Sequence, residues 1–347
     1  MGGPSSAELA GARVWFEATI AHGGEQVGPL VVSGGHLVWQ ADQFPAARVS
    51  GLVVPSRVAG VDLTRGQIGA EGHRLRLTGR AERGSKIWDW GLGEYLITKV
   101  GTDGAQITIE AADLSQMLVE HQNAVPVGVA PMMRIRDVLL ALLGEDWIEF
   151  VTPPGDGSPR VPAGFAIGTD RGASTKELLT AWGAVLVPGA AGGLRVVKAP
   201  AGVPDSAEVV IRDGDGGSLI DEELVLDRAD ITNHMIVPVT DSDLVGQAWQ
   251  ARGVFSVEEA GWLSKRIDSN RAIGTLAQAQ LVARTELAKA MLRAVTVPVE
   301  MVPDYRLEPF TPVLLEQADR PRLGHVTGVE WPLVAGKSMV AHIGVEV

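Results

Sequence analysis

Residues 271–302 pass from a helical repeat to a strand repeat with no turn between them. RAIGTLAQAQLVARTELAKAMLRA (271–294) puts Ile273, Leu276, Ala283, Leu287, Ala290, Met291 and Ala294 on one face, with Arg284, Glu286, Lys289 and Arg293 elsewhere. This is the pattern of an amphipathic helix. VTVPVEMV (295–302) then alternates: Val295, Val297, Val299 and Met301 point one way, and Thr296, Pro298, Glu300 and Val302 the other. That two-residue period belongs to a strand with one buried face. Helix and strand are therefore set directly against each other. Pro298 cannot donate to a ladder, which predicts a sheet edge or a neighbouring bulge.

The rest of the chain is mostly short alternating runs. From 11 to about 111, RVWFEATIAH, HLVWQAD, ARVSGLVVPS, HRLRLTGRAE, LGEYLITKV and AQITIEAAD are separated by Gly, Pro and Asp signals. Such spacing predicts a sandwich or barrel. GTDG (101–104) reads as a hairpin turn and AADLSQMLVEH (111–121) as a closing helix. In MMRIRDVLLALLGE, Met132, Ile135, Val138, Leu139, Leu142 and Leu143 form one stripe, with Gly144 as C-cap. VTPPGDGSPRVPAG (151–164) is a turn-rich loop, and GGLRVVKAP reads as a strand. STKELLTAWGAVLV (174–187) opens with Ser174 and Glu177 at capping-box spacing. Strands resume at AEVVIRD, and DSDLVGQAWQARGVFSVEEAGWLSKRIDSNR (241–271) breaks their rhythm.

Of the 347 residues none is Cys, which excludes disulfides, thiolate metal sites and cysteine nucleophiles. No apolar run approaches the roughly 20 residues that span a bilayer, and the N-terminus does not read as a secretory signal. A formal charge of −12 argues against tight nucleic-acid binding. The one basic stretch, RLRLTGRAERGSK (74–86), reads as a hairpin with solvated charges. No zincin, P-loop or nucleophile-elbow pattern occurs. The seven His (22, 36, 73, 121, 234, 325 and 342) include no pair at metal-ligand spacing. GLGEYL (91–96) lacks the third glycine of a dinucleotide loop and reads as a turn.

In RDGDGGSLIDEE (212–223), Asp213 and Asp215 match a calcium loop. Gly217, Ser218 and Leu224 do not, so a hairpin turn before an acidic strand is expected. Asp221, Glu222, Glu223, Asp227 and Asp230 are candidate glycosidase carboxylates, with solvated strand faces as the default. Trp88 and Trp90 share a strand face, for a core or subunit contact or else a sugar platform.

The order of these segments resembles the baseplate or tail-tip hub proteins of tailed phages. The residues that carry it are ERGSKIWDWGLGEYLITKV with TIEAADLSQML, then MRIRDVLLALL, STKELLTAWGAVLVPGAAGGLRVV, DRADITNHMIVPV with Asn233 before its strand, and Pro-Asp-Tyr-Arg-Leu-Glu-Pro (303–309) after the helix and strand described first. Family members often continue Leu-Glu-Pro with Gly-Asp; here Phe310 and Thr311 follow.

The resemblance implies an α+β, mainly β protein with two similar β-barrel tube-like domains, at 1–118 and at 206–240 with 272–347. A small α/β domain (119–205) lies between them, and 241–271 is a further inserted segment. It implies a homotrimeric ring that adapts a sixfold tail tube to a threefold spike or fibre. The implied neighbours are a distal tail protein ring, the tape measure protein C-terminus, and a receptor-binding or central spike protein. DNA would only pass through the lumen. No catalytic, cofactor or metal residues, no cofactor and no stable membrane association are expected, and the location would be the virion tail tip. The competing readings are a tail-tip cell-wall hydrolase and a carbohydrate-binding β module.

Overall fold

The computed structural model describes residues 3–345 except 23–24, 42, 59–60, 63–67, 145–147, 151–156, 201, 215–216, 223–224, 227–230, 268–269 and 317–320. The chain is mainly β, as its alternation predicts. One 14-stranded sheet contains strands from both β-rich stretches. In spatial order its main path is Leu219–Glu222, Val295–Met301, Met339–Val345, Arg322–Pro332, Gly34–Gln40, Ala47–Pro55, Gln106–Asp113, Lys86–Asp103, Arg74–Arg83, Arg13–His22 and Glu25–Val31. Among the described residues this path is open. Two separate closed barrels are therefore not what forms.

The reason lies in Arg322–Pro332. One side of this strand pairs with Met339–Val345, from Gly324↔Val345 to Glu330↔Val340. The other side changes partner along its length. Leu315↔Arg322 to Pro312↔His325 join it to Pro312–Glu316, and Gly328↔Gln40 to Pro332↔His36 join it to Gly34–Gln40. The register shifts between Val326 and Gly328, at Thr327. There the Thr327 hydroxyl donates to the His342 carbonyl (3.1 Å), and the Thr327 carbonyl accepts from the Ala41 N–H (2.9 Å). A bulge frees one residue from the ladder and bends the strand. Here it coincides with the exchange of partner.

Val295–Met301 is an interior strand and not the expected edge. Met339–Val345 lies on one side, and Leu219–Glu222 with Val225–Leu226 on the other. A register shift does lie beside it, between Leu219 and Asp221. Each residue of an antiparallel strand addresses only one neighbour with its N–H and C=O, so a single proline removes at most one ladder bond. The hairpin expected at 212–223 is not made. Val209–Arg212 pairs in parallel with Pro312–Glu316, whereas Leu219–Glu222 goes to Val295–Met301.

A middle stretch carries helices Gln116–Glu120, Ile135–Leu143 and Arg171–Trp182, and a sheet of Ile148–Phe150, Leu194–Lys198 and Ala184–Pro188. Arg171–Trp182 begins three residues before the expected start. Its N-cap is Asp170, which accepts from the Ala173 N–H, and Ser174 lies inside the helix. Glu177 instead holds Arg271 through both carboxylate oxygens. Met132 is 52% exposed at φ 59°, so the stripe of Ile135–Leu143 rests on Ile135, Val138 and Leu139. The strand His234–Pro238, expected to enter a second barrel, pairs instead with Val245–Trp249 and Ser264–Arg266 of the 241–271 stretch.

The long helix, Leu276–Ala294, is capped by Thr275. Its residues Ala279, Val282, Ala283 and Leu287 pack into a core with Leu139, Trp182, Val237 and Ile273. Its last residue, Ala294, and Val295 after it enter the large-sheet core with Val297, Trp331 and Ile343. Leu276, on the expected apolar face, is 37% exposed.

Within the large-sheet core, Gly79 lies opposite Trp90 on adjacent strands. A Cβ on Gly79 would sit 2.2 Å from the Trp90 ring. That ring is 4% exposed and packs edge-on against Phe16. It has no room to withdraw. Gly79→Ala is therefore expected to lower stability by about 1–3 kcal/mol through overpacking, read as a lower urea midpoint at an unchanged slope.

Candidate functional site: the junction at 303–311

The turn after Val295–Met301 brings the parts of the molecule together. Asp304 is 2% exposed. Its carboxylate accepts from Arg306 Nε (2.9 Å), Arg306 Nη2 (2.7 Å) and the Arg306 backbone N–H (3.1 Å). A bidentate carboxylate–guanidinium pair between residues two apart fixes the backbone between them. The bond from Asp304 also pushes the Arg306 pKa up.

Tyr305 is thereby directed inward. Its ring lies 4.7 Å from Trp90 and 6.1 Å from Phe16, and its N–H donates to the Pro4 carbonyl (3.1 Å). Burial pushes its phenol pKa up. Glu308 accepts from Arg195 Nη1 at 3.0 Å, with the two side chains only 20% and 14% exposed. Thr311 Oγ1 accepts from the Glu308 N–H (2.9 Å) and closes the turn. The Phe310 carbonyl accepts from His325 Nδ1 (2.9 Å), and the Phe310 ring meets Trp39 edge-on at 6.0 Å. Seven consecutive residues, 304 to 310, thus contact the first β stretch, the middle sheet and the second β stretch.

Phe310 has φ 62°, a conformation that favours glycine. It occupies the place where members of the resembled family often have Gly. The turn keeps the glycine geometry and uses the side chain as an anchor, while the Thr311 hydroxyl does a capping job suited to Asp.

Two other motif residues are explained by burial. Asp113, 1% exposed, accepts from the Ala47 N–H (2.7 Å) and from both the N–H and hydroxyl of Ser115. Burial pushes its pKa up, and these bonds oppose the rise. Asn233, fully buried, donates to the Phe255 and Gly261 carbonyls and accepts from the Leu263 N–H. It stitches the 241–271 stretch to His234–Pro238. Sequence reading could place both motifs but not these partners, which lie up to 66 residues away.

Among the described residues, those singled out for chemistry do not converge. Among the described residues, no three His, Asp or Glu side chains form a metal-ligand group. His22 stacks on His73 (4.1 Å), whose pKa burial lowers, and His325 sits between the Phe310 and Gly202 carbonyls. Asp213 and Asp221 are exposed, and Glu222 faces Arg322 at 3.7 Å. Asp215, Glu223, Asp227 and Asp230 lie outside the described residues. The basic stretch 74–86 is largely paired within the sheet: Arg74 and Arg76 with Glu94, and Arg80 with Glu17 and Asp89. Trp90 is buried and Trp88 lies under the Lys86 ammonium, 4.5 Å from its ring centroid. Trp90 belongs to the large-sheet core, and Trp88 is partly buried against it.

Phe310→Gly separates strain from anchoring. Relief of the left-handed backbone gains about 1 kcal/mol, and loss of a buried ring costs about 3–5 kcal/mol. A net loss is expected in thermal unfolding followed by circular dichroism. A higher midpoint for the glycine variant would show that the ring anchors nothing.

No family model and no curated protein matches this chain, and its likeness to known proteins lies in the fold. A tail protein of Neisseria meningitidis aligns with 96% of this chain and 96% of its own, at 12% identity and a TM-score of 0.63. The prophage tail protein gp18 of Listeria monocytogenes covers 94% of each chain at 11% identity and TM-score 0.58. The 43 kDa tail protein of prophage MuSo2 from Shewanella oneidensis covers 95% of this chain and 98% of its own, at 11% identity and TM-score 0.55. From its first β stretch to its last, the chain has the fold of phage tail proteins.

Proposed function

We propose that this chain is a structural protein of a phage tail tip or baseplate, a hub whose copies close a homotrimeric ring. The observation that carries this reading is the extent of the likeness: a tail-protein fold matches through 96% of both chains and not merely across one β module. The junction at 303–311 supports it. A ring that transmits force between a tail tube and a spike needs subunits that do not flex internally, and this turn, held in shape by the Asp304–Arg306 pair, ties the two β stretches and the middle sheet through two buried aromatics, Tyr305 and Phe310, and the Arg195–Glu308 ion pair.

In this reading the ring adapts the sixfold tube to a threefold spike or fibre. Its neighbours are a distal tail protein ring, the tape measure protein C-terminus and a receptor-binding or central spike protein. Its role is mechanical rather than catalytic, at the tail tip of the virion. The net charge of −12 suits a bore through which DNA passes, because an acidic wall does not retain phosphate.

Negative-stain electron microscopy of the purified chain, alone and mixed with a distal tail ring, tests the proposal. Threefold rings with a central hole are expected. Particles that stay monomeric in both samples would overturn it, as would clearing of peptidoglycan by the purified chain in a zymogram.

A further inference from the structure

The small sheet of His234–Pro238, Val245–Trp249 and Ser264–Arg266 has an inner and an outer face. Met235, Val237 and Ala248 point into the core beneath the long helix. His234 is in register with Trp249 on one neighbour and Ser264 on the other, and Ile236 with Gln247 and Arg266. Residues in register, and those two apart along a strand, share a face. The outer face therefore carries Trp249, His234 and Ser264 in one row, with Gln247 and Arg266 in the next.

The outer face is built rather than loose. His234 Nδ1 lies 2.7 Å from Ser264 Oγ and Nε2 lies 3.1 Å from Gln247 Oε1, which pins the ring. Trp262 meets that ring edge-on at 4.7 Å. Trp249 and Trp262 are 55% and 61% exposed, whereas Trp39, Trp90, Trp182 and Trp331 are 4% or less. The two exposed tryptophans flank one fixed imidazole. Trp249 lies on one neighbour of the His234 strand and Trp262 two residues before Ser264 on the approach to the other, so the indoles stand on opposite sides of that strand.

We infer that this outer face binds a saccharide. An indole offers an apolar face and a hydrogen-bonding edge together, and a pyranose offers a C–H face and a rim of hydroxyls. Trp249 and Trp262 supply the stacking surfaces. The indole N–H groups, the Gln247 amide and the Arg266 guanidinium supply donors for the hydroxyls. None of the outer-face residues is acidic, so a sugar carrying a carboxylate is admitted as well as a neutral one. The inference does not rest on the hub reading, and either can fail without the other.

The test is a glycan array probed with the full chain, followed by fluorescence titration of the bound saccharide. Binding to at least one neutral or carboxylate-bearing glycan is expected. Trp249→Ala and Trp262→Ala should each weaken it tenfold or more, Gln247→Ala should weaken it less, and Trp88→Ala should leave it unchanged. Unaltered circular dichroism confirms that these exposed substitutions leave the fold intact. An array without hits overturns the inference, as does wild-type affinity retained in both tryptophan variants. Dissociation of a wild-type oligomer by Trp249→Ala also overturns it, because the face is then a seam between copies.

Discussion

One strand with three partners governs the architecture. Arg322–Pro332 is long enough, at 11 residues, to hold Met339–Val345 along one side and two different strands along the other. Had each β stretch closed on itself, each would have hidden its own edges. Sharing a strand hides them differently: the edge of one half-sheet is covered by the continuation of the other. The exchange must occur at one residue, and the register shift puts it at Thr327, where side chain and backbone both find partners. An unpaired backbone group there would carry the desolvation cost of a buried donor or acceptor.

The exchange alone would leave the two halves free to twist about the shared strand. The turn at 303–311 removes that freedom. Asp304 and Arg306 satisfy each other within the turn, so a carboxylate with only 2% exposure keeps its charge compensated. Tyr305 can then enter the core beside Phe16 and Trp90, while Phe310 reaches Trp39 on the far side of the strand exchange. These contacts join residues nearly the whole chain apart. They form only when both halves are in place, which makes the assembly cooperative.

Local periods made the strands and helices legible, because a buried face imposes its repeat on the sequence. Ile135–Leu143, Leu276–Ala294 and Val295–Met301 lie close to where their patterns predict. Pairing was less legible. Val209–Arg212 and Leu219–Glu222 are separated by Gly-rich punctuation, which reads as a hairpin. Yet each strand meets a different partner more than 70 residues on, because the alternation of a strand says which face is buried and nothing about its neighbour. Capping misled for a related reason: Ser174 and Glu177 have capping-box spacing, but Asp170 reaches the helix start first and Glu177 is drawn to Arg271. Tryptophans were the hardest to read, because an indole suits a core and a wet surface equally. Trp88 and Trp90 stood out by their spacing, whereas exposure distinguishes Trp249 and Trp262.

The helix–strand passage at 294–295 now has a mechanical meaning. The first half of Leu276–Ala294 belongs to the core of the middle stretch and the small sheet, and its end belongs to the core of the large sheet. A linker there would let the two cores move independently. Without one, any displacement of the small sheet must carry Val295–Met301 with it, and that strand is interior, held on both sides. The strand leads directly into the turn that holds Tyr305. Helix, strand and turn are consecutive in sequence, so the chain binds its two cores through covalent continuity, and side-chain contacts only have to set the angle.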